Sequence, residues 1–200
     1  TYNLLVIVQK DIHLIFFIKM SKIYIQDNFF EENVLKEIQQ NVMTSEFKSR
    51  YQDTLHDDQQ NNNVYQRNYH HIALPDESDV SFEVKKNIKK YFNVTVMGMK
   101  SNYFLSFPNT PAIPHDDNGL YNCLIYLLGD TKINNGTGFY EQEEDKFSLH
   151  THIGFKENRA IFFTSSIWHS PLQFAGESTP RYVLANFIYK TDKEEWHENR

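Results

Sequence analysis

His115, Asp116 and Asp117 stand in a row. On an extended segment, residues i and i+2 point to the same side. His115 and Asp117 can therefore present an imidazole and a carboxylate to one divalent metal ion, while Asp116 points away. A third ligand has to come from elsewhere in the chain. His169, in Ile167-Trp168-His169-Ser170-Pro171, follows an apolar stretch and is the strongest candidate. Two imidazoles and one carboxylate on one face hold a metal through three positions and leave others open for exogenous ligands. The pattern alone is not specific. With 26 acidic residues among 200 and nine histidines, about one His-x-acid match arises by chance. A second match, His56-Asp57-Asp58, lies in a polar stretch and reads as a solvated loop.

The elements that must position these groups fall into two halves. In the first, Ile23 and Ile25 alternate around Tyr24 as a short strand, and Asp27 or Asn28 is placed to cap a helix. Phe30, Val34, Leu35, Ile38 and Val42 recur at helical spacing, predicting an amphipathic helix over 29–43. Residues 44–70, centred on Gln59-Gln60-Asn61-Asn62-Asn63, read as a long loop or lid. Phe82, Val84, Ile88 and Tyr91 predict a second helix over 81–92.

In the second half, short strands alternate with turn signals. They are 101–107, the apolar run 121–128, the pair Phe139-Tyr140, and then 147–153, 160–164 and 181–189. The run 121–128 is apolar enough to be buried on both faces. Closely spaced short strands after two helices predict an α+β chain whose β core is a sandwich or jelly roll. Aromatic residues at 15% suit such a core.

Composition excludes several classes. The formal charge of -6 argues against a protein held mainly by nucleic-acid phosphates. The single cysteine, Cys123, rules out an internal disulfide and any zinc site needing two cysteines from one chain. A reducing, cytoplasmic setting is expected. Residues 4–18 are apolar but are interrupted by Gln9, Lys10, Asp11 and His13. A charge at the centre of a membrane span costs about 2.5–3.5 kcal/mol, so no span is expected. The first residue is Thr1, and Met20 opens an ordinary start; residues 1–19 are read as an upstream extension or extra strands. Residues 20–190 are expected to form one domain, with the β core at about 100–190, followed by a polar tail at 191–200.

Order adds what single motifs lack. His115-x-Asp117 precedes a strand containing Tyr126-Leu127, then Asn135-Gly136-Thr137-Gly138-Phe139-Tyr140, then Arg159 ahead of Ala160-Ile161-Phe162-Phe163. His169 follows, and Arg181 opens the last strand twelve residues later. This series resembles the 2-oxoglutarate- and Fe(II)-dependent dioxygenases, most closely their prolyl-4-hydroxylase-like branch. The resemblance covers about residues 100–190, and Ile23-Tyr-Ile-Gln-Asp-Asn-Phe-Phe resembles that branch's opening strand and turn.

The resemblance implies a double-stranded β-helix, a form of jelly roll, with the helices packed outside it. It implies His115, Asp117 and His169 as Fe(II) ligands. Arg181 is implied to grip the distal carboxylate of 2-oxoglutarate, a task suited to a planar guanidinium fork. Tyr126 is implied to donate to the same carboxylate. The implied reaction consumes O2 and 2-oxoglutarate, releases succinate and CO2, and hydroxylates a C–H bond of a protein side chain, such as proline, or of a small molecule. The chain departs from the pattern at Phe107, where relatives often carry tyrosine; Tyr103 lies nearby.

Other residues receive plainer readings. Lys156 and Arg159 are alternative basic partners, with Arg159 read as structural. His150 and His152 share a strand face, His70-His71 reads as a surface pair, Trp168 as packing and 141–145 as a solvated hairpin end. Two competing functions remain. A cupin-like metal jelly roll would need no 2-oxoglutarate, but its first motif carries two close histidines where this chain has one. A non-catalytic β-sandwich binding module leaves the ordered series unexplained. Substrate choice is assigned to loops at 44–75 and 106–114.

Overall fold

A computed structural model describes residues 5–8, 22–49, 70–107, 114–132, 135–144, 146–173 and 180–195. In chain order these form β1 (Leu5–Val8), β2 (Lys22–Gln26), α1 (Glu32–Thr44), β3 (Lys48–Ser49), β4 (His70–Ala73) and α2 (Asp79–Phe92). There follow β5 (Val96–Ser106), β6 (Tyr121–Leu128), β7 (Asn135–Glu143), β8 (Lys146–Gly154), β9 (Ala160–Thr164), β10 (His169–Gln173) and β11 (Arg181–Thr191).

The larger sheet has the order β1-β2-β9-β6-β11-β5-β4-β3, and the smaller one β10-β7-β8. All pairings are antiparallel except β1 with β2. His115 joins the smaller sheet through a bridge to His169, beside β10. Four central strands of one sheet (β9, β6, β11, β5) thus face four extended segments of the other, the double-stranded β-helix expected above.

Strand alternation divides the larger sheet into two faces. Cys123, Ile125 and Leu127 of β6, Leu184 and Ile188 of β11 and Met99 of β5 pack with Leu35, Ile38 and Val42 of α1 and Val84 and Ile88 of α2. Tyr126, Val183, Ile161 and Phe163 point the other way and meet Phe139 and Ile153 of the smaller sheet inside the barrel. A buried apolar side chain stabilises by about 1.5–3 kcal/mol, so these two layers carry the fold. They explain why β6 reads as a continuous apolar run.

Helix α2 begins at Ser78, whose hydroxyl accepts from the Ser81 N–H at 3.2 Å, and ends at Asn93 in the left-handed region, φ 56°. Helix α1 begins later than expected, at Glu32, and its N-cap Glu31 makes no side-chain cap. Asp27 cannot serve there, because Arg159 and Lys156 take its carboxylate: Arg159 Nε lies at 2.6 Å and Lys156 Nζ at 2.8 Å. Both alternative basic partners are thereby structural. Asn158 completes this clamp. Its amide accepts from the Phe30 N–H and donates to the Phe30 carbonyl, each at 2.8 Å.

Three expectations change. The 44–70 stretch is not a loop throughout, since β3 pairs with β4; residues 50–69, with the His56-Asp57-Asp58 match, lie outside the described residues. His70 and His71 belong to β4 and are half-buried. His115 and Asp117 do not share a continuous strand; beyond the bridge at His115 the chain is irregular. Residues 9–21, including Met20, and 196–200 also lie outside the described residues. Among the described residues, no helix is long and apolar enough to cross a membrane.

Candidate active site

His115 is set by backbone pairing. Its N–H donates to the His169 carbonyl at 3.0 Å, and the His169 N–H donates back at 2.8 Å. Residues opposed in this way project side chains to one face, and the two imidazole centroids lie 4.6 Å apart. Asp117 is anchored separately, its N–H donating to the Ser165 carbonyl at 3.0 Å in the turn after β9. The result is a cluster in which one ligating atom from each of His115, Asp117 and His169 lies within 4.8 Å of the others.

The imidazole of His169 is oriented. Its Nδ1 lies 2.9 Å from the Ile167 carbonyl, so that nitrogen carries the proton. Nε2 lies 3.3 Å from Asp117 Oδ2 and donates to it when the ring is protonated. Phe163 meets the ring edge-on at 4.9 Å and gives the cluster an apolar wall. Burial pushes the Asp117 carboxyl up. The His169 hydrogen bond, the His169 and His115 charges and a bond from Asn122 outweigh it and hold the group below its ordinary value. An ionised carboxylate between two imidazoles is the state in which all three can take a cation.

Arg181 lies inside the same barrel. It is 3% exposed, and its Nη1 donates to the Gly136 carbonyl. Its Nε has no hydrogen-bond partner, and among the described residues no carboxylate pairs with it. Burial pulls the guanidinium below its ordinary value. An unpaired buried cation costs several kcal/mol, and the Gly136 carbonyl offsets part of that cost. Gly136 shapes the seat: a Cβ there would collide with the Ile153 carbonyl and come within 2.9 Å of His152 Nε2. Ser106 stands directly opposite Arg181 in the sheet.

Tyr126 is wholly buried, and its hydroxyl donates to Thr137 Oγ1 at 2.7 Å. Burial pushes its phenol up to about 12, with the Arg181 charge pulling the other way. The inward row of β6 therefore runs from Asn122, bonded to Asp117, to Tyr126, within electrostatic reach of Arg181. Tyr103 takes no part. It packs on the helix-covered face of β5, because it is out of phase with the inward-facing Ser106.

The plainer readings sort as follows. His150 lies 3.3 Å from Glu141 on an exposed strand. His152 is half-buried behind Gly136, closer to Arg181 than a surface strand implies. Trp168 packs on Phe147 at 4.8 Å. Sequence reasoning missed Asn122. The available signal was one amide inside an apolar run five residues after Asp117.

No protein-family model matches this chain, and no curated protein matches it. Solved structures match its fold. A Pseudomonas putida prolyl-4-hydroxylase aligns at TM-score 0.54 and 12% identity, covering 83% of this chain and 91% of its own. A Trichoplax adhaerens prolyl hydroxylase, solved with a peptide of the hypoxia-inducible-factor oxygen degradation domain, aligns at TM-score 0.57 and 16% identity, covering 83% and 82%. HygX from Streptomyces hygroscopicus, solved with nickel and 2-oxoglutarate, aligns at TM-score 0.58 and 8% identity with the same coverage. A further HygX structure also holds hygromycin B. These similarities show a shared fold.

Proposed function

We propose that this chain is an Fe(II)- and 2-oxoglutarate-dependent oxygenase that hydroxylates a protein side chain, such as proline, or a small molecule. One observation carries the reading: the His115/Asp117/His169 cluster shares its barrel with Arg181, a buried cation lacking a carboxylate partner among the described residues. Two imidazoles and a carboxylate suit Fe(II), and the unspent Arg181 donor suits the distal carboxylate of 2-oxoglutarate. When bound, this pair supplies O2-dependent decarboxylation of the co-substrate to succinate and CO2, coupled to oxygen insertion into a C–H bond.

The chain's own groups do the rest. His169 keeps its proton on Nδ1 and offers Nε2. Asp117 stays ionised. Arg181 fixes the far end of the co-substrate, assisted by the Tyr126 hydroxyl once that turns from Thr137. Phe139 and Phe163, both fully buried, pack edge to face at 5.0 Å beside the His169 ring. The solved neighbours hold a peptide in one case and a small molecule in another, which supports both substrate classes.

The test is an anaerobic titration of metal-free protein with Fe(II), with and without 2-oxoglutarate, following the visible charge-transfer band of the chelate. The band should appear only with both, vanish in His115→Ala and weaken in Arg181→Ala. Fe(II) binding indifferent to 2-oxoglutarate transfers the chain to the cupin-like class. Binding of neither makes it a non-catalytic module.

A further inference from the structure

Asn122 is the polar residue of the β6 core row. It is fully buried and stands in register between Phe163 of β9 and Phe187 of β11 on the inward face. Its Nδ2 donates to Asp117 Oδ2 at 2.7 Å. That is the oxygen 3.3 Å from His169 Nε2. Its own Oδ1 is buried and accepts no hydrogen bond among the described residues.

The opposite face of the same sheet supplies a contrast. Asn186, on β11, is as deeply buried, and both ends of its amide are satisfied. It accepts from Ser101 Oγ at 2.8 Å and donates to the Cys123 carbonyl at 2.9 Å. That is how an amide retained for the fold behaves, since a buried unsatisfied oxygen costs about 1–3 kcal/mol. Asn122 bears that cost while spending its hydrogen bond on one carboxylate oxygen of the cluster.

We infer that Asn122 is a positioning residue for the metal centre: its amide locks the Asp117 carboxylate in the orientation that faces His169 and His115. This rests on the metal-centre reading above. A carboxylate oxygen has room for more than one partner, so Oδ2 can keep the amide and still face a cation. Without the amide, Asp117 is free to rotate about its last torsion, which has broad, shallow preferences. Groups that orient metal ligands in this way typically govern affinity by about 10–100-fold.

The probe is Co(II), a spectroscopic stand-in for Fe(II), added anaerobically to metal-free protein. Its dissociation constant and visible d–d bands are read in wild type, Asn122→Leu, Asn122→Ala and Asn122→Thr. Leucine keeps the volume without hydrogen bonding, alanine removes both, and threonine can still donate. We expect Asn122→Leu and Asn122→Ala to bind about 10–100-fold more weakly with shifted bands, and Asn122→Thr to recover most of both. A folded Leu or Ala variant with wild-type affinity and unchanged bands overturns the inference. So does wild-type binding in Asn122→Leu with loss confined to the smaller Asn122→Ala and Asn122→Thr, which would make the role one of packing. If wild type itself takes up no Co(II), the metal-centre reading falls first, before any variant is compared.

Discussion

His115 and His169, 54 positions apart in the sequence, exchange both backbone hydrogen bonds, at 3.0 and 2.8 Å. Two candidate ligands are thus fixed to each other by main chain, with their imidazole centroids 4.6 Å apart. Asp117 is tied by its own N–H to the turn that leads into β10. The cluster is therefore set by main-chain pairing.

Such a site should stabilise the fold when filled. Fe(II) or Co(II) at one hundred times its dissociation constant contributes about 2.7 kcal/mol, and a kilocalorie shifts the melting temperature of a chain this size by about 2–4 °C. Differential scanning fluorimetry should show that rise in wild type. It should be absent in His115→Ala, Asp117→Ala and His169→Ala, each of which removes one ligand.

Arg181→Met should separate binding from folding. A buried guanidinium without a carboxylate is a cost borne by the ligand-free protein, and methionine fills similar space. Its melting temperature should equal or exceed that of wild type, even though the Gly136 carbonyl loses a donor. The stabilisation that 2-oxoglutarate gives the metal-loaded wild type should disappear. A fall of more than about 5 °C in the ligand-free variant, above the 2–4 °C of one lost kilocalorie, would mark Arg181 as a structural residue.

Tyr126→Phe tests a smaller contribution. Removing the hydroxyl deprives Thr137 of its bond at 2.7 Å, a loss of about 0.5–1.5 kcal/mol. If the same hydroxyl turns to the co-substrate, 2-oxoglutarate affinity measured by calorimetry should also fall, by about 3–10-fold for a bond of that strength. Unchanged affinity would confine Tyr126 to the Thr137 contact.

Acid stability should depend on Asp27. The Arg159 hydrogen bond, with help from Lys156 and against the opposing effect of burial, holds its carboxyl below the ordinary value. A depressed folded-state value means that the stabilisation is full above about pH 4, the unfolded value. It is lost as pH falls through the folded one. At pH 7, Asp27→Asn should be less stable by about 1 kcal/mol, discounted for partial exposure. The gap should close as pH falls through the depressed folded-state value, where wild type also becomes neutral. A gap that persists there would assign the loss to geometry and not charge.

The sequence was legible wherever one periodicity decided the outcome. The helices at 32–44 and 79–92 and the strands at 121–128, 160–164 and 181–191 lie close to their expected bounds, because each buries a continuous face. Helix α1 starts late because a remote pair, Asp27 with Arg159, outcompetes local capping. The strand β10 was not foreseen: Ser170-Pro171-Leu172 has little strand character, and only pairing with β7 makes it extended.

The same division holds at the site. Residue type and spacing named His115, Asp117 and His169 as a candidate metal cluster, and the family resemblance implied Arg181 and Tyr126. Only the tertiary structure put the two imidazole centroids 4.6 Å apart, left Arg181 buried without a carboxylate partner among the described residues and turned Tyr103 toward the helices. It also drew Asn122 into contact with Asp117. Each of these depends on which face of a strand looks into the barrel, and that is decided by long-range pairing, which no local run of residues encodes.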